Sequence, residues 1–232
     1  MSAPEDPELR RIARFWDARA KEDARRYSTP GGVRVDDETF NAAGEAVLHA
    51  LEHDLGWFAD GAARALDLGC GVGRLTRALA GRADEVLAVD ISPRMLEVAQ
   101  ARLRDVENVT WHTADAGDLP RLPPATIDAA LAIGVLTHLP TAKHVAAAID
   151  ELGRLLRPGG IAAFDVRSGP QPLALPGEDD LPVHVIGHPL WHGAAIDLET
   201  LAALAHQADL IVERIEGSGS ARCLVLVRRD DV

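Results

Sequence analysis

Between Ala65 and Gly81 the chain makes a passage that few folds accommodate. An apolar tetrad, Ala65-Leu66-Asp67-Leu68, runs into glycines at the alternate positions 69, 71 and 73, and a helical pattern then resumes through Leu75 and Leu79. Glycine lets the backbone turn tightly and leaves the main chain open to close approach, so a strand entering a helix this way reads as the first half of a βαβ unit. Further strands are expected at Glu85–Asp90, Val109–His112, Ile127–Ile133 and Ile161–Val166. Helices lie between them. Ser92 and Pro93 make a strong helix start, a hydroxyl cap followed by a ring already fixed at helical φ, and Met95, Leu96, Val98 and Leu103 follow. Another helix opens at Thr141, aligns Val145, Ile149, Leu152 and Leu156 in one stripe, and is expected to end at Pro158-Gly159-Gly160.

The end of the chain breaks the alternation. Leu210–Ile215 and Cys223–Val227 are joined through Gly217-Ser218-Gly219-Ser220, too short a link for a crossover, so this pair must be antiparallel. The expected fold class is α/β, Rossmann-like: a seven-stranded, mostly parallel sheet with a C-terminal antiparallel hairpin and helices on both faces. Ahead of it, a charged helix from Glu8 to Tyr27 carries Ile12, Phe15 and Trp16, and a second runs from Asp37 to His53. Residues 1–60 are expected as a helical cap within the same domain as residues 61–232. Residues 167–193 hold five prolines, and a loop that long reads as an active-site cover. A helix from Asp197 to Gln207 precedes the hairpin.

Only 4% of the 232 residues are aromatic, so the core must rest on Ala, Leu, Val and Ile. The net charge of −12 repels a phosphate backbone and disfavours nucleic acid as a partner. Two cysteines, Cys70 and Cys223, are too few for a disulfide framework or a zinc site. The first residues lack the basic-then-apolar pattern of a signal peptide, and no apolar run nears the roughly 20 residues of a membrane helix. A cytoplasmic protein without membrane partner is expected.

In an open parallel sheet, ligands bind beyond the carboxyl ends of the strands. Gly69 and Gly71 fall there, as do Asp67, Asp90 and Asp115. A G-x-G-x-G loop alone is a weak signal, because nicotinamide enzymes use G-x-G-x-x-G. Here Arg74 stands where that fingerprint wants its last glycine. The Asp67 carboxylate would oppose a pyrophosphate and suit a ligand bearing an ammonium and a sulfonium. Asp90 can accept from both hydroxyls of a ribose, with Ile91 and Met95 against an adenine. Asp115 can accept from the adenine amine while the Ala116 N–H reads a ring nitrogen.

Several segments then resemble one family. Leu66 to Gly73, Val89 to Leu96, Ala114-Asp115-Ala116, Ile127 to Pro140 and Leu155 to Gly160 are similar, in this order, to the motifs of class I S-adenosylmethionine-dependent methyltransferases. The resemblance covers about Ala63 to Val166 and says little about the methyl acceptor. It implies S-adenosyl-L-methionine as cofactor, with Gly69 and Gly71 under its methionine part and a backbone carbonyl of Ile133 or Gly134 on its ammonium. It also implies closure of Trp16 and Tyr27 over the cofactor. A small-molecule acceptor, methylated on oxygen or nitrogen, is the leading expectation, in a monomer or homodimer. Two alternatives stay open: a methyltransferase-like domain that binds the cofactor without transferring methyl, and a nicotinamide oxidoreductase.

An oxygen or nitrogen acceptor that must lose a proton needs a base, and histidine is the usual one. His138 follows the fourth strand, and Trp191-His192 in the late loop is expected to fold over the strand ends and line the substrate, so His138 and His192 are the candidate catalytic residues. His184, His188 and His192 are spaced by four, but Gly187, Pro189 and Gly193 oppose the helix that would gather them on a metal. No metal is expected.

Overall fold

A computed structural model describes residues 4–29, 32–56, 61–119, 122–169, 185, 188 and 190–231. Most of the expected cover loop, and with it His184, lies outside the described residues. The elements follow the expected order. Helix α1 spans Pro7–Tyr27 and α2 Asp37–His49, after which a π-helical turn runs Ala50–Asp54. The sheet strands are β1 Ala62–Leu68, β2 Ala83–Asp90, β3 Val109–Thr113, β4 Ile127–Ala132, β5 Leu156–Arg167, β6 Leu210–Glu216 and β7 Arg222–Arg229. Between them lie α3 Arg74–Ala80, α4 Pro93–Arg102, a 3-10 turn Leu136–His138, α5 Ala142–Leu155 and α6 Leu198–Gln207.

The seven strands stand in the order β3-β2-β1-β4-β5-β7-β6. β1 pairs in parallel with β2 and β4, β2 with β3, and β4 with β5. β7 is antiparallel to both β5 and β6. The strand order reverses between β1 and β4, the topological switch point where sheets of this type open a crevice.

Alternation along the strands sorts the core into two layers. Leu66, Leu68, Leu87 and Val89 face α5 and α6 through Val145, Ile149, Leu152 and Leu201. Ala65, Val86, Ala129 and Leu131 face the other way, onto Leu48, Leu51, Leu75 and Leu79. Both faces of the inner strands are therefore covered, which is why these strands read as nearly continuous apolar runs. Ile149 is fully buried, and truncating such a side chain to alanine costs about 2–5 kcal/mol.

Helix starts follow their capping residues: Asp6, Asp36, Ser92, Thr141 and Asp197 each accept a backbone N–H of the first turn. Two boundaries differ from expectation. The second helix narrows at His49 and widens into the π-helical turn rather than continuing to His53. Helix α5 stops at Leu155, and Leu156 already pairs with Ile127, so Pro158-Gly159-Gly160 forms an irregularity inside β5. There, five residues of β5 pass opposite two of β4 before Ile161 meets Ala129, and Gly159 takes φ +71°.

The two N-terminal helices are fastened over the glycine-loop end of the sheet. Asp17 of α1 accepts from Ser92 Oγ at 2.5 Å and from the Arg94 N–H at 3.3 Å, tying α1 to the start of α4. Arg74, at the head of α3, donates to the carbonyls of Ser28 and Ala43. A bend at Asp23, whose carboxylate pairs with Arg34 at 3.0 Å, turns the last part of α1 toward the crevice.

Candidate active site

The glycine loop is held from beneath by β2. The N–H groups of Gly69 and Cys70 both donate to the Val89 carbonyl, at 2.7 and 2.9 Å. The Gly71 N–H donates to Asp90 Oδ2 at 2.9 Å, and the Ser92 N–H to Asp90 Oδ1 at 2.8 Å. Asp90 thus braces the loop while Ser92 alone caps α4. Gly69 has φ +73°, and a Cβ there would come within 2.1 Å of Val135 Cγ2. Gly71 has φ +54°, with Ser28 Oγ 2.9 Å from where its Cβ would be. Both positions demand glycine for conformation, and Gly69 for space as well.

Behind the loop, Asp67 is almost wholly buried and accepts from Thr76 Oγ1 at 2.6 Å. Burial pushes its carboxyl up to about 6, partly offset by the Thr76 hydrogen bond and the Arg74 charge. Asp90 is likewise raised to about 6 by burial, against the backbone hydrogen bonds it accepts. Asp115, just beyond β3, accepts from the Gly117 N–H at 3.0 Å, and burial raises it as well. Carboxylates costly to ionise face the crevice at the ends of three strands, and each becomes easier to ionise beside a cation or a hydroxyl donor.

The opposite wall is aromatic. His138 Nδ1 lies 2.6 Å from the Trp191 carbonyl. A carbonyl only accepts, so Nδ1 carries the proton and Nε2 keeps a bare lone pair. Burial lowers the imidazole to about 4, with the charges of Arg222 and Arg167 acting the same way. His138, Trp16 and Trp191 meet with ring centroids 5.0–5.8 Å apart. Tyr27 donates its hydroxyl to Glu22 at 2.7 Å, and burial pushes its pKa up to about 12. On β5, Asp165 Oδ1 accepts from the Gly134 N–H at 2.8 Å, and its other oxygen pairs with Arg222.

These groups enclose one cavity of about 500 Å³, within the roughly 300–1,000 Å³ usual for small-ligand sites. Its wall includes Trp16, Tyr27, Asp67, Gly69, Gly71, Asp90, Ile91, Met95, Asp115, Ala116, Ile133, Gly134 and His138, so every candidate but one is gathered there. The exception is His192: the wall carries Trp191, and His192 lies outside it. Sequence reasoning also passed over Ser28, Arg222 and Asp165. Asp165 left a signal, as a carboxylate inside the apolar run Ile161–Val166, whereas Arg222 follows a Gly-Ser turn on which nothing marks it. Cys70 is buried between Asp67 and Asp90, and burial with their charges holds its thiol well above the ordinary range.

The fold is thus a doubly wound α/β sheet with its crevice at the switch point. Residues 66–164 match the family model of the methyltransferase domain. The chain is 37% identical over 95 residues to a demethylmenaquinone methyltransferase of Tropheryma whipplei, covering 41% of this chain and 38% of that protein. It is 39% identical over 101 residues to a ubiquinone biosynthesis O-methyltransferase of Xylella fastidiosa, covering 42% of this chain and 39% of that one. The chain thus spans about two fifths of the length of these curated relatives. The crystal structure of the N-methyltransferase NodS from Bradyrhizobium japonicum, in complex with S-adenosyl-L-homocysteine, superposes with TM-score 0.64 at 19% identity, covering 94% of this chain and 98% of that one. Residues 66–164 thus carry the signature of a methyltransferase domain. Among the described residues no helix is long and apolar enough to cross a membrane.

Proposed function

We propose that the chain is a methyltransferase that moves a methyl group from S-adenosyl-L-methionine to the oxygen or nitrogen of a small molecule. The observation that carries this reading is the convergence of the loop, Asp67, Asp90, Asp115 and Gly134 on one cavity of suitable size. The residues fit the cofactor by the chemistry of their donors and acceptors. A cradle that excludes any Cβ at Gly69 suits close approach by the methionine part. The Gly134 N–H is spent on Asp165, which leaves its carbonyl to receive an ammonium. Asp90 uses one lone pair of each oxygen on the backbone, and the others suit ribose hydroxyls. The relatives named for quinone precursors are consistent with a small acceptor.

When bound, the cofactor supplies an electrophilic methyl on sulfonium, and the protein's task is alignment and exclusion of water. Trp16, Tyr27 and Trp191 close the cavity from the side of α1 and the late segment. The bare Nε2 of His138 is placed to accept the hydrogen of an acceptor hydroxyl or amine and so fix the nucleophilic lone pair. With its pKa near 4, the imidazole remains neutral throughout the physiological range and serves as an acceptor rather than a strong base.

The test is transfer of labelled methyl from S-adenosyl-L-methionine to a panel of hydroxylated and aminated small molecules. Transfer to at least one acceptor, lost on cavity substitution, is expected. Binding of S-adenosyl-L-homocysteine with no transfer to any acceptor would favour a silent cofactor binder, and binding of NADH instead would overturn the reading.

A further inference from the structure

We infer that the acceptor end of the cavity takes a planar aromatic molecule bearing an anionic group, recognised by Arg222; this deepens the methyltransferase reading and rests on it. The position of Arg222 separates it from the cofactor's expected contacts. Those contacts come from the ends of β1, β2, β3 and β4 and from the loop after β1. Arg222 opens β7, in register with Arg167 at the end of β5. β7 stands three strands from β1 in the order β1-β4-β5-β7, roughly 14 Å at about 4.8 Å per strand. Arg222 is nevertheless part of the cavity wall, reaching it from the far side of β4.

What Arg222 offers is a surplus of donors. A guanidinium has five N–H donors in a rigid fork. Among the described residues its ion-pair partner is Asp165, whose other oxygen is committed to the Gly134 N–H. The side chain keeps 32% of its surface exposed while Asp165 keeps 3%. Asp165 therefore holds one nitrogen of the fork, while the side chain remains part of the cavity wall. Arg74, the other guanidinium on the wall, is more deeply buried and gives two of its donors to the Ser28 and Ala43 carbonyls. A ligand oxygen with negative charge would complete the fork, and a carboxylate can do so bidentately.

The planar part follows from the opposite wall. Trp16, His138 and Trp191 come from three separate elements and converge edge-to-face and tilted, which presents ring faces and edges at stacking distance. Such a wall alone would also suit an organic cation. Arg222 weighs against it at this end, because a guanidinium offers donors and no acceptor to an ammonium.

The test uses the full chain saturated with S-adenosyl-L-homocysteine and three probes: 2-hydroxybenzoate, phenol and benzylamine, titrated by calorimetry and tryptophan fluorescence. We expect 2-hydroxybenzoate to bind at least tenfold more tightly than phenol, and benzylamine more weakly than either. Arg222→Gln should abolish the tenfold preference, leave phenol unchanged and alter S-adenosyl-L-homocysteine affinity less than threefold. Arg222→Lys should keep part of the preference. The double variant Asp165→Asn with Arg222→Gln removes the stranded carboxylate and should behave as the single one, even if Arg222→Gln alone is poorly folded. Equal binding of 2-hydroxybenzoate and phenol, or tightest binding of benzylamine, would overturn the inference. So would a loss of S-adenosyl-L-homocysteine affinity on Arg222→Gln, which would give Arg222 to the cofactor's carboxylate. Failure of wild type to bind S-adenosyl-L-homocysteine would instead remove the methyltransferase reading and this one with it.

Discussion

The end of the cavity over β1, β2 and β3 is made of main chain and carboxylates, whereas the end near β5 and β7 is made of rings, a neutral imidazole and a guanidinium. The first end is fixed by backbone: the Gly69 and Cys70 amides hang on Val89, and Asp90 clamps the loop from two N–H groups. The second is assembled from α1, the turn after β4, the late segment and β7, elements far apart in the chain. Main-chain geometry constrains composition tightly, so the first end should tolerate substitution less than the second.

The largest effect should come from breaking the backbone end. Gly69→Ala puts a Cβ against Val135 at a positive φ, and S-adenosyl-L-homocysteine affinity by calorimetry should fall more than 100-fold, with a near-native melting curve showing that the fold survives. Trp191→Leu, at the other end, should change that affinity less than threefold. Equal losses would erase the distinction between the ends.

Next is His138→Ala. Removing a positioned proton acceptor typically costs about 10²-fold or more in turnover, while S-adenosyl-L-homocysteine affinity should hold. Because the imidazole is lowered to about 4, the pH–rate profile of wild type at saturating S-adenosyl-L-methionine should show no step near 6.5 that depends on His138. A step there, absent in His138→Gln, would contradict the neutral-imidazole account.

The two ends should also oppose each other in pH-dependent stability of the ligand-free protein. Asp67 and Asp90 are raised to about 6, so the native state holds more protons than the unfolded one above roughly pH 4. Their contribution therefore declines as pH rises through 4 to 6. His138 is lowered, so the unfolded state holds more protons between pH 4 and 6.5, and its contribution declines as pH falls through that window. Melting temperatures across pH 4–7 should lose opposite slopes in Asp67→Asn and His138→Gln. Slopes of the same sign would overturn the assignment.

The smallest effect expected is at the fastening of α1. Asp17→Asn weakens the acceptor that receives Ser92 Oγ and the Arg94 N–H, and loosening the cap should raise the dissociation constant of S-adenosyl-L-homocysteine a few-fold. No change would mean that Trp16 and Tyr27 are held by packing alone.

The unequal construction also explains what could be read in advance. The seven strands, their order of appearance and the C-terminal hairpin follow from local periodicity and from the shortness of the Gly217–Ser220 link. The cofactor end was legible because its residues lie in local motifs, each tied to a strand end. The acceptor end was legible only in part: Trp16 and His138 were named from the sequence, but their meeting with Arg222 depends on side chains brought together over long distances. Of Trp191 and His192, both expected to line the substrate, Trp191 is on the wall with its carbonyl on His138, and His192 lies outside it. Arg222 carries no local signal, and only the β5–β7 register brings it to the crevice. Pro158-Gly159-Gly160 looked like a boundary, but pairing of Leu156 with Ile127 had already begun the strand.

The most direct test of the cofactor end is calorimetric titration of the wild-type chain with S-adenosyl-L-homocysteine at pH 7.5 and pH 5.0, beside NADH. If Asp67 or Asp90 must be ionised to receive the ligand, a group of pKa near 6 is only about a tenth ionised at pH 5. Tight binding at pH 7.5, about tenfold weaker at pH 5.0, with none of NADH, is the predicted result. Binding of NADH, or affinity for S-adenosyl-L-homocysteine that is absent or indifferent to this change of pH, would contradict it.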